Sequence, residues 1–122
     1  MKVLLLLGCI VMFLAVALGA FGAHALKKRL SADMMNIFQT GIQYQIAHGL
    51  GLLLLGVLAG NLAHSSLIVT AGWVMLVGIL LFSGSLYVLS VSGVKKLGAV
   101  TPIGGLAFLA SWVIVIVAVI QG

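Results

Sequence analysis

From Val3 to Leu26 the chain carries no lysine, arginine, aspartate or glutamate. At ~1.5 Å of rise per residue, even twenty such residues reach across the ~30 Å hydrocarbon core of a bilayer. The solvent that suits a stretch of this length is lipid. Three further runs of the same kind follow, at about 40–62, 67–89 and 102–120. Composition argues against a soluble globule: 64% of the residues are apolar, 6% are charged, and Asp33 is the only acidic residue. Average proteins carry about a quarter charged residues. The expected fold is an all-α membrane protein, a four-transmembrane-helix bundle making one domain over residues 1–122, with no room for a separate soluble domain.

Polar residues mark where the spans begin and end. Ser31 can cap a helix, and Asp33 follows where the helix dipole favours an anion. Met34, Met35, Ile37 and Phe38 among polar neighbours predict a short interfacial amphipathic segment after the first helix. The chain then enters the bilayer near Thr40. Asn61, His64, Ser65 and Ser66 predict a tight hairpin turn, with His64 a solvated turn residue. Ser90, Ser92, Gly93 and Gly98 surround Lys95 and Lys96 in a second loop. Thr101 as cap and Pro102 at the first helical position open the last span. The order lysine pair then threonine, in Lys27, Lys28 and Thr40 and again in Lys95, Lys96 and Thr101, is compatible with a duplicated hairpin.

The net charge of +5 does not point to nucleic acid, because a phosphate-binding face needs many basic groups on one folded surface. Here they fall at Lys2, at Lys27, Lys28 and Arg29, and at Lys95 and Lys96, the last two groups in loops that share one side of a four-span chain. The positive-inside rule places loops 27–39 and 90–101 in the cytoplasm and both termini outside, with Lys2 the lone dissenter. Membrane lipids are the expected surroundings, each basic residue near the surface attracting anionic headgroups by roughly 1 kcal/mol. Ala23 to Ala25 resembles a signal-peptide cleavage site. The apolar stretch before it is long for a signal, and the basic cluster after it anchors, so an uncleaved span is expected. The lone Cys9 reads as a buried thiol and excludes an internal disulfide.

Helices in lipid associate through close packing and hydrogen bonds, which favours small residues four apart. Ala15, Gly19 and Ala23, then Gly56 and Gly60, then Gly78, Gly84 and Ser85, predict tightly crossed helices with little interior space. Tyr44 and His48 lie one turn apart on one face. His24, near the end of span one, is expected at a depth close to that of His48. Such groups most simply form hydrogen-bonded glue between spans one and two. The alternatives are a proton or solute path lined by Gln43, Tyr44, Gln45 and His48, and a haem or metal held by the two histidines, for which no carboxylate or thiolate stands beside them. With Asp33 the sole carboxylate and placed at the interface, no catalytic residue, metal or cofactor is expected.

The segments GAFGAH at 19–24, TGIQYQIAH at 40–48, FSGSLY at 82–87, TPIGG at 101–105 and FLASW at 108–112 resemble the YgdD-like family of small bacterial inner-membrane proteins. The resemblance spans nearly the whole chain. It implies a multi-pass protein of the bacterial inner (plasma) membrane whose family has no established activity. It also directs attention to Gly19, Gly22, His24, Thr40, Tyr44, His48, Ser83, Gly84, Ser85, Tyr87, Thr101, Pro102, Gly104, Gly105 and Trp112, most of them near the cytoplasmic ends of the spans. The expectation is one polar cluster of His24, Thr40, Gln43, Tyr44, His48, Ser85 and Tyr87. Gly19, Gly22, Gly84, Thr101, Pro102, Gly104 and Gly105 would serve packing and capping. The expected role is that of an accessory or assembly protein without catalytic activity, working on a protein partner or as a homo-oligomer. The alternative is a small-solute, lipid or proton-handling protein using the polar groups around His24 and His48.

Overall fold

A computed structural model describes residues 2–63 and 65–122; His64, read above as a turn residue, lies outside them. Four stretches of the described chain, Lys2–Leu26, Ala32–Ala59, Ser65–Ser92 and Lys95–Gln121, are helical, apolar and long enough to cross a membrane. The first comprises α1 (Lys2–Ala17), a π-helical turn (Leu18–Gly22) and α2 (Ala23–Leu26). The second is α3 (Ala32–Ala59) and the third α4 (Ser65–Ser92). The fourth begins with a 3-10 turn (Lys95–Ala99) and continues as α5 (Thr101–Gln121).

In the π turn the Ala23 N–H reaches back to the Leu18 carbonyl, five residues away. One residue more than an α-helical turn needs is thereby accommodated. Both glycines of the turn still face α3: a β-carbon on Gly19 would lie 3.6 Å from Ile42, and one on Gly22 would lie 3.5 Å from Phe38.

Ser31 caps α3 as expected, in extended geometry (φ −64°, ψ 166°) and with its hydroxyl 3.2 Å from the Met34 N–H that it accepts. The amphipathic segment is present as the first two turns of α3, with Phe38 only 2% exposed. It runs without a break into the second span. Thr40 therefore sits inside the helix, where its hydroxyl donates to the Asn36 carbonyl at 2.9 Å; it opens no helix, and the parallel drawn with Thr101 has no counterpart here. Hydropathy marks where a chain enters hydrocarbon, whereas capping marks where its helix starts.

The turn after α3 is tight, with the N–H groups of Asn61 and Leu62 both returning to the Leu58 carbonyl. At the other end of α4, Gly93 adopts φ 75°, a left-handed conformation in which a β-carbon would be strained. Its N–H closes on the Leu89 carbonyl at 2.8 Å. The last span departs from expectation at its first residue. Thr101 is not a cap: Val100 occupies the cap position, no side chain bonds the helix start, and Pro102 stays in the first turn but as its second residue, after Thr101. The Thr101 hydroxyl is engaged by another helix instead.

Helices pack mainly in chain order, α1 on α3, α3 on α4, and α4 on α5. Leu4, Leu52, Leu55, Ile68, Met75 and Phe108 belong to the shared core. Small residues set the closest approaches. At Gly104 the α5 backbone lies so near α4 that an added β-carbon would be 2.8 Å from the Phe82 Cα. At Gly41 it would meet the Tyr87 ring at 2.7 Å. Gly56 and Gly78 are equally tight, against Leu5 and Phe108. Two expected packing positions differ. A β-carbon added to Gly84 would have nothing within 4 Å, and one added to Gly105 would make only ordinary contact with Phe82, because α5 crosses α4 at Gly104 and both of these face away from that crossing. Cys9, expected to be buried, is exposed on the outer face of α1.

Candidate functional site

The polar side chains of the spans form bonds between helices. Gln45 projects inward from α3 and is 5% exposed. Its amide N–H donates to the Val11 carbonyl of α1 at 2.9 Å, and its amide oxygen accepts the Tyr87 hydroxyl of α4. One glutamine thus ties three helices. Beside it, the Ser83 hydroxyl of α4 donates to the Gly41 carbonyl of α3 at 2.7 Å. Farther along, the Ser111 hydroxyl of α5 donates to the Ala71 carbonyl of α4 at 2.7 Å. Each accepting carbonyl has a second lone pair to offer, so the older helical bond need not break.

His48 belongs to a second group, between α3 and α5. Its Nδ1 lies 2.9 Å from the Tyr44 carbonyl, and its Nε2 lies 3.1 Å from the Trp112 indole nitrogen. An indole N–H only donates, so Nε2 is the unprotonated nitrogen and Nδ1–H is the donor. The imidazole is a neutral ring with both nitrogens used. Phe108 stacks on it with centroids 3.6 Å apart, and Tyr44 lies parallel at 6.2 Å. Protonating Nε2 would set two donors face to face.

A third pair joins α4 to α5: the hydroxyls of Ser85 and Thr101 are 2.6 Å apart.

The single expected cluster is therefore divided. Tyr87 belongs to the Gln45 group, Tyr44 and His48 to the aromatic group, and Ser85 to Thr101. Thr40 bonds within its own helix. Gln43 is exposed on the outer face of α3, and among the described residues its amide has no hydrogen-bond partner. His24 is exposed and lines a groove with Gly19, Ala23, Lys27, Met35 and Gln39. Along α3, His48 lies nine residues beyond Gln39, roughly 13 Å at 1.5 Å per residue. The two histidines are thus at different depths and on different sides of α3, and they are not a paired ligand set. Among the described residues no three His, Cys, Asp or Glu side chains gather as a metal site.

The sequence alone places Gln45 among several path-lining residues and gives Ser83, Phe108, Ser111 and Trp112 no chemical role beyond their places in the motif segments. The only signal for Gln45 was its spacing: it shares a helical stripe with Gly41, Gly49 and Leu52, the face that proves buried.

The spaces between helices open as grooves on the outside of the bundle. The one beside His48 measures about 570 Å³ and is lined by Tyr44, Phe82, Pro102, Gly105, Leu109 and Trp112 among others. The Tyr44 hydroxyl, at its edge, has no hydrogen-bond partner among the described residues.

Comparison with known proteins gives this arrangement its setting. Residues 18–105 match the family model described as "Protein of unknown function (DUF423)". The chain belongs to the DUF423 family. It is similar to the UPF0382 membrane protein YwdK of Bacillus subtilis, with 48% identity over 99% of this chain and 98% of that one. A UPF0382 membrane protein of Staphylococcus haemolyticus is 42% identical over 96% of this chain and 94% of its own, and one from Staphylococcus epidermidis is 43% identical over 99% and 98%. No solved structure matches the chain. The resemblance drawn from the motifs thus holds as membership of a family of small membrane proteins with no catalytic function indicated. Within the DUF423 match fall Gln45, Ser83, Tyr87, His48 and Thr101; Ser111 and Trp112 lie past its end.

Proposed function

We propose that this DUF423 protein is an accessory or assembly component of the membrane that acts through its folded surface rather than by chemistry on a substrate. The observation that carries this reading is the use of its polar groups. Both nitrogens of His48 and both ends of the Gln45 amide are spent on neighbouring helices or, for Nδ1, on the preceding turn, and among the described residues no buried side-chain nitrogen or oxygen lacks a partner. A proton relay through His48 is poorly served, since an indole donor cannot pass a proton onward. The same proposal keeps the YgdD-like likeness of this chain, which rests on the segments at 19–24, 40–48, 82–87, 101–105 and 108–112.

The same proposal places the chain in the bacterial inner (plasma) membrane, with loops 27–39 and 90–101 cytoplasmic and both termini outside. Lys27, Lys28, Arg29, Lys95 and Lys96 support it. Anionic lipids then meet those loops, and a larger protein or further copies of the chain meet the spans.

Native mass spectrometry of the protein released gently from its membrane, together with a visible absorption spectrum, tests the role against His48→Ala. The expected result is a colourless protein with no small-molecule adduct, and a variant whose only defect is lower stability. A stoichiometric adduct that His48→Ala removes would overturn the reading.

One observation favours a second reading, a lipid- or small-molecule-handling protein: the 570 Å³ groove with the unbonded Tyr44 hydroxyl at its edge. A bound molecule lost on Tyr44→Phe, with stability unchanged, would select it.

A further inference from the structure

Gln43 poses a problem that the folded chain does not solve. Its amide carries two donors and an acceptor, yet it points away from the bundle without a hydrogen bond among the described residues. Its depth is set by the packing of the first two spans. Gly19 rests on Ile42, so Gln43 is level with Gly19, eight residues inside Lys27 and roughly 12 Å below it at 1.5 Å per residue. That is farther than an amide can reach back to the headgroups, and acyl chains offer it neither donor nor acceptor.

The residues that share its face are spaced for a partner. Gln43, Ala47, Leu50, Leu54 and Val57 follow one another at four, three, four and three residues, and all are exposed. Leu50, Leu54 and Val57 are 52%, 49% and 56% exposed. A mean spacing of 3.5 is the seam of a left-handed helix pair, in which one polar residue fixes register.

We infer that α3 is a self-association helix: two copies pair along Gln43, Ala47, Leu50, Leu54 and Val57, and the two Gln43 amides hydrogen-bond to each other within the membrane. The occupant follows from symmetry and chemistry. Every copy inserts in the same orientation, so α3 runs parallel to its mate and Gln43 meets Gln43 at one depth. A primary amide both donates and accepts, and is therefore its own complement across a two-fold axis. The pairing stands whether or not the protein also serves a larger partner.

The test uses the full chain in vesicles of phosphatidylethanolamine and phosphatidylglycerol, with donor- and acceptor-labelled copies diluted progressively into lipid. Energy transfer should report a dimer that Gln43→Leu weakens roughly five- to thirty-fold, with Gln43→Asn keeping part of the affinity. Because Gln43 is exposed and makes no hydrogen bond among the described residues, Gln43→Leu should melt like wild type in dilute detergent. In a Cys9→Ser background, Leu50→Cys should oxidise to a covalent dimer, while Val113→Cys on the exposed face of α5 should not. Transfer at the monomer level at every dilution would overturn the proposal, as would full dimerisation of Gln43→Leu. So would cross-links to a chain of different mass, or a lowered melting temperature for Gln43→Leu in dilute detergent.

Discussion

Two glycines near the α4–α5 crossing show how differently the same residue can be used. At Gly104 a methyl group would run into the Phe82 backbone, which cannot swing aside as a side chain can. Gly104→Ala is expected to cost about 1–3 kcal/mol through overpacking, whereas Gly84→Ala, with nothing within 4 Å, should leave stability unchanged or slightly raised. Thermal unfolding in detergent distinguishes them. The same measurement weighs the Gln45 junction. Tyr87→Phe removes one bond and should cost about 0.6 kcal/mol, the average for an interhelical bond in a membrane, and at most ~1.7. Gln45→Leu removes both bonds and should cost more. Neither contrast was legible in the sequence. Gln43 and Gln45 are two residues apart and so face nearly opposite ways on a helix, and sequence alone did not say which way was inward. Once Gly41, Gly49 and Leu52 are known to be buried, only Gln45 shares their side.

Whole elements were easier to foresee than their ends. Long uncharged apolar runs announce spans because lipid is the solvent that suits them, and the described chain has four helical stretches long and apolar enough to cross a membrane. The ends are governed by other forces. The α3 helix begins eight residues before Thr40 because Ser31 supplies an acceptor for the otherwise unpaired Met34 N–H. Ser31→Ala should fray this first turn at a cost of about 1 kcal/mol, visible as faster amide exchange over residues 32–38 and not beyond. Gly93→Ala should loosen the end of α4 by a similar amount, because its φ of 75° disfavours any β-carbon. The π turn left no trace in composition, since one extra residue in a run of leucine, glycine, alanine and phenylalanine alters neither hydropathy nor charge. It explains part of the misplacement of His24, whose face is turned relative to a uniform α-helix.

For the whole molecule, the testable quantity is orientation. In a Cys9→Ser background, a membrane-impermeant maleimide added to intact cells should label Ala63→Cys and should reach Ser92→Cys only after permeabilisation. The reverse pattern would invert the proposed topology. A final consequence concerns the order in which a chain is made. In the three bonds described above that join a side chain to a backbone carbonyl of another helix, Gln45 to Val11, Ser83 to Gly41 and Ser111 to Ala71, the donor lies on the later helix and the acceptor on an earlier one. The earlier carbonyl is already satisfied within its own helix, so these three acceptors carry no penalty while they wait in lipid, unlike the Gln45 amide oxygen and His48 Nε2, which are completed only by Tyr87 and Trp112. The polar hydrogen arrives only with the helix that has somewhere to put it, and synthesis and assembly can proceed in the same direction.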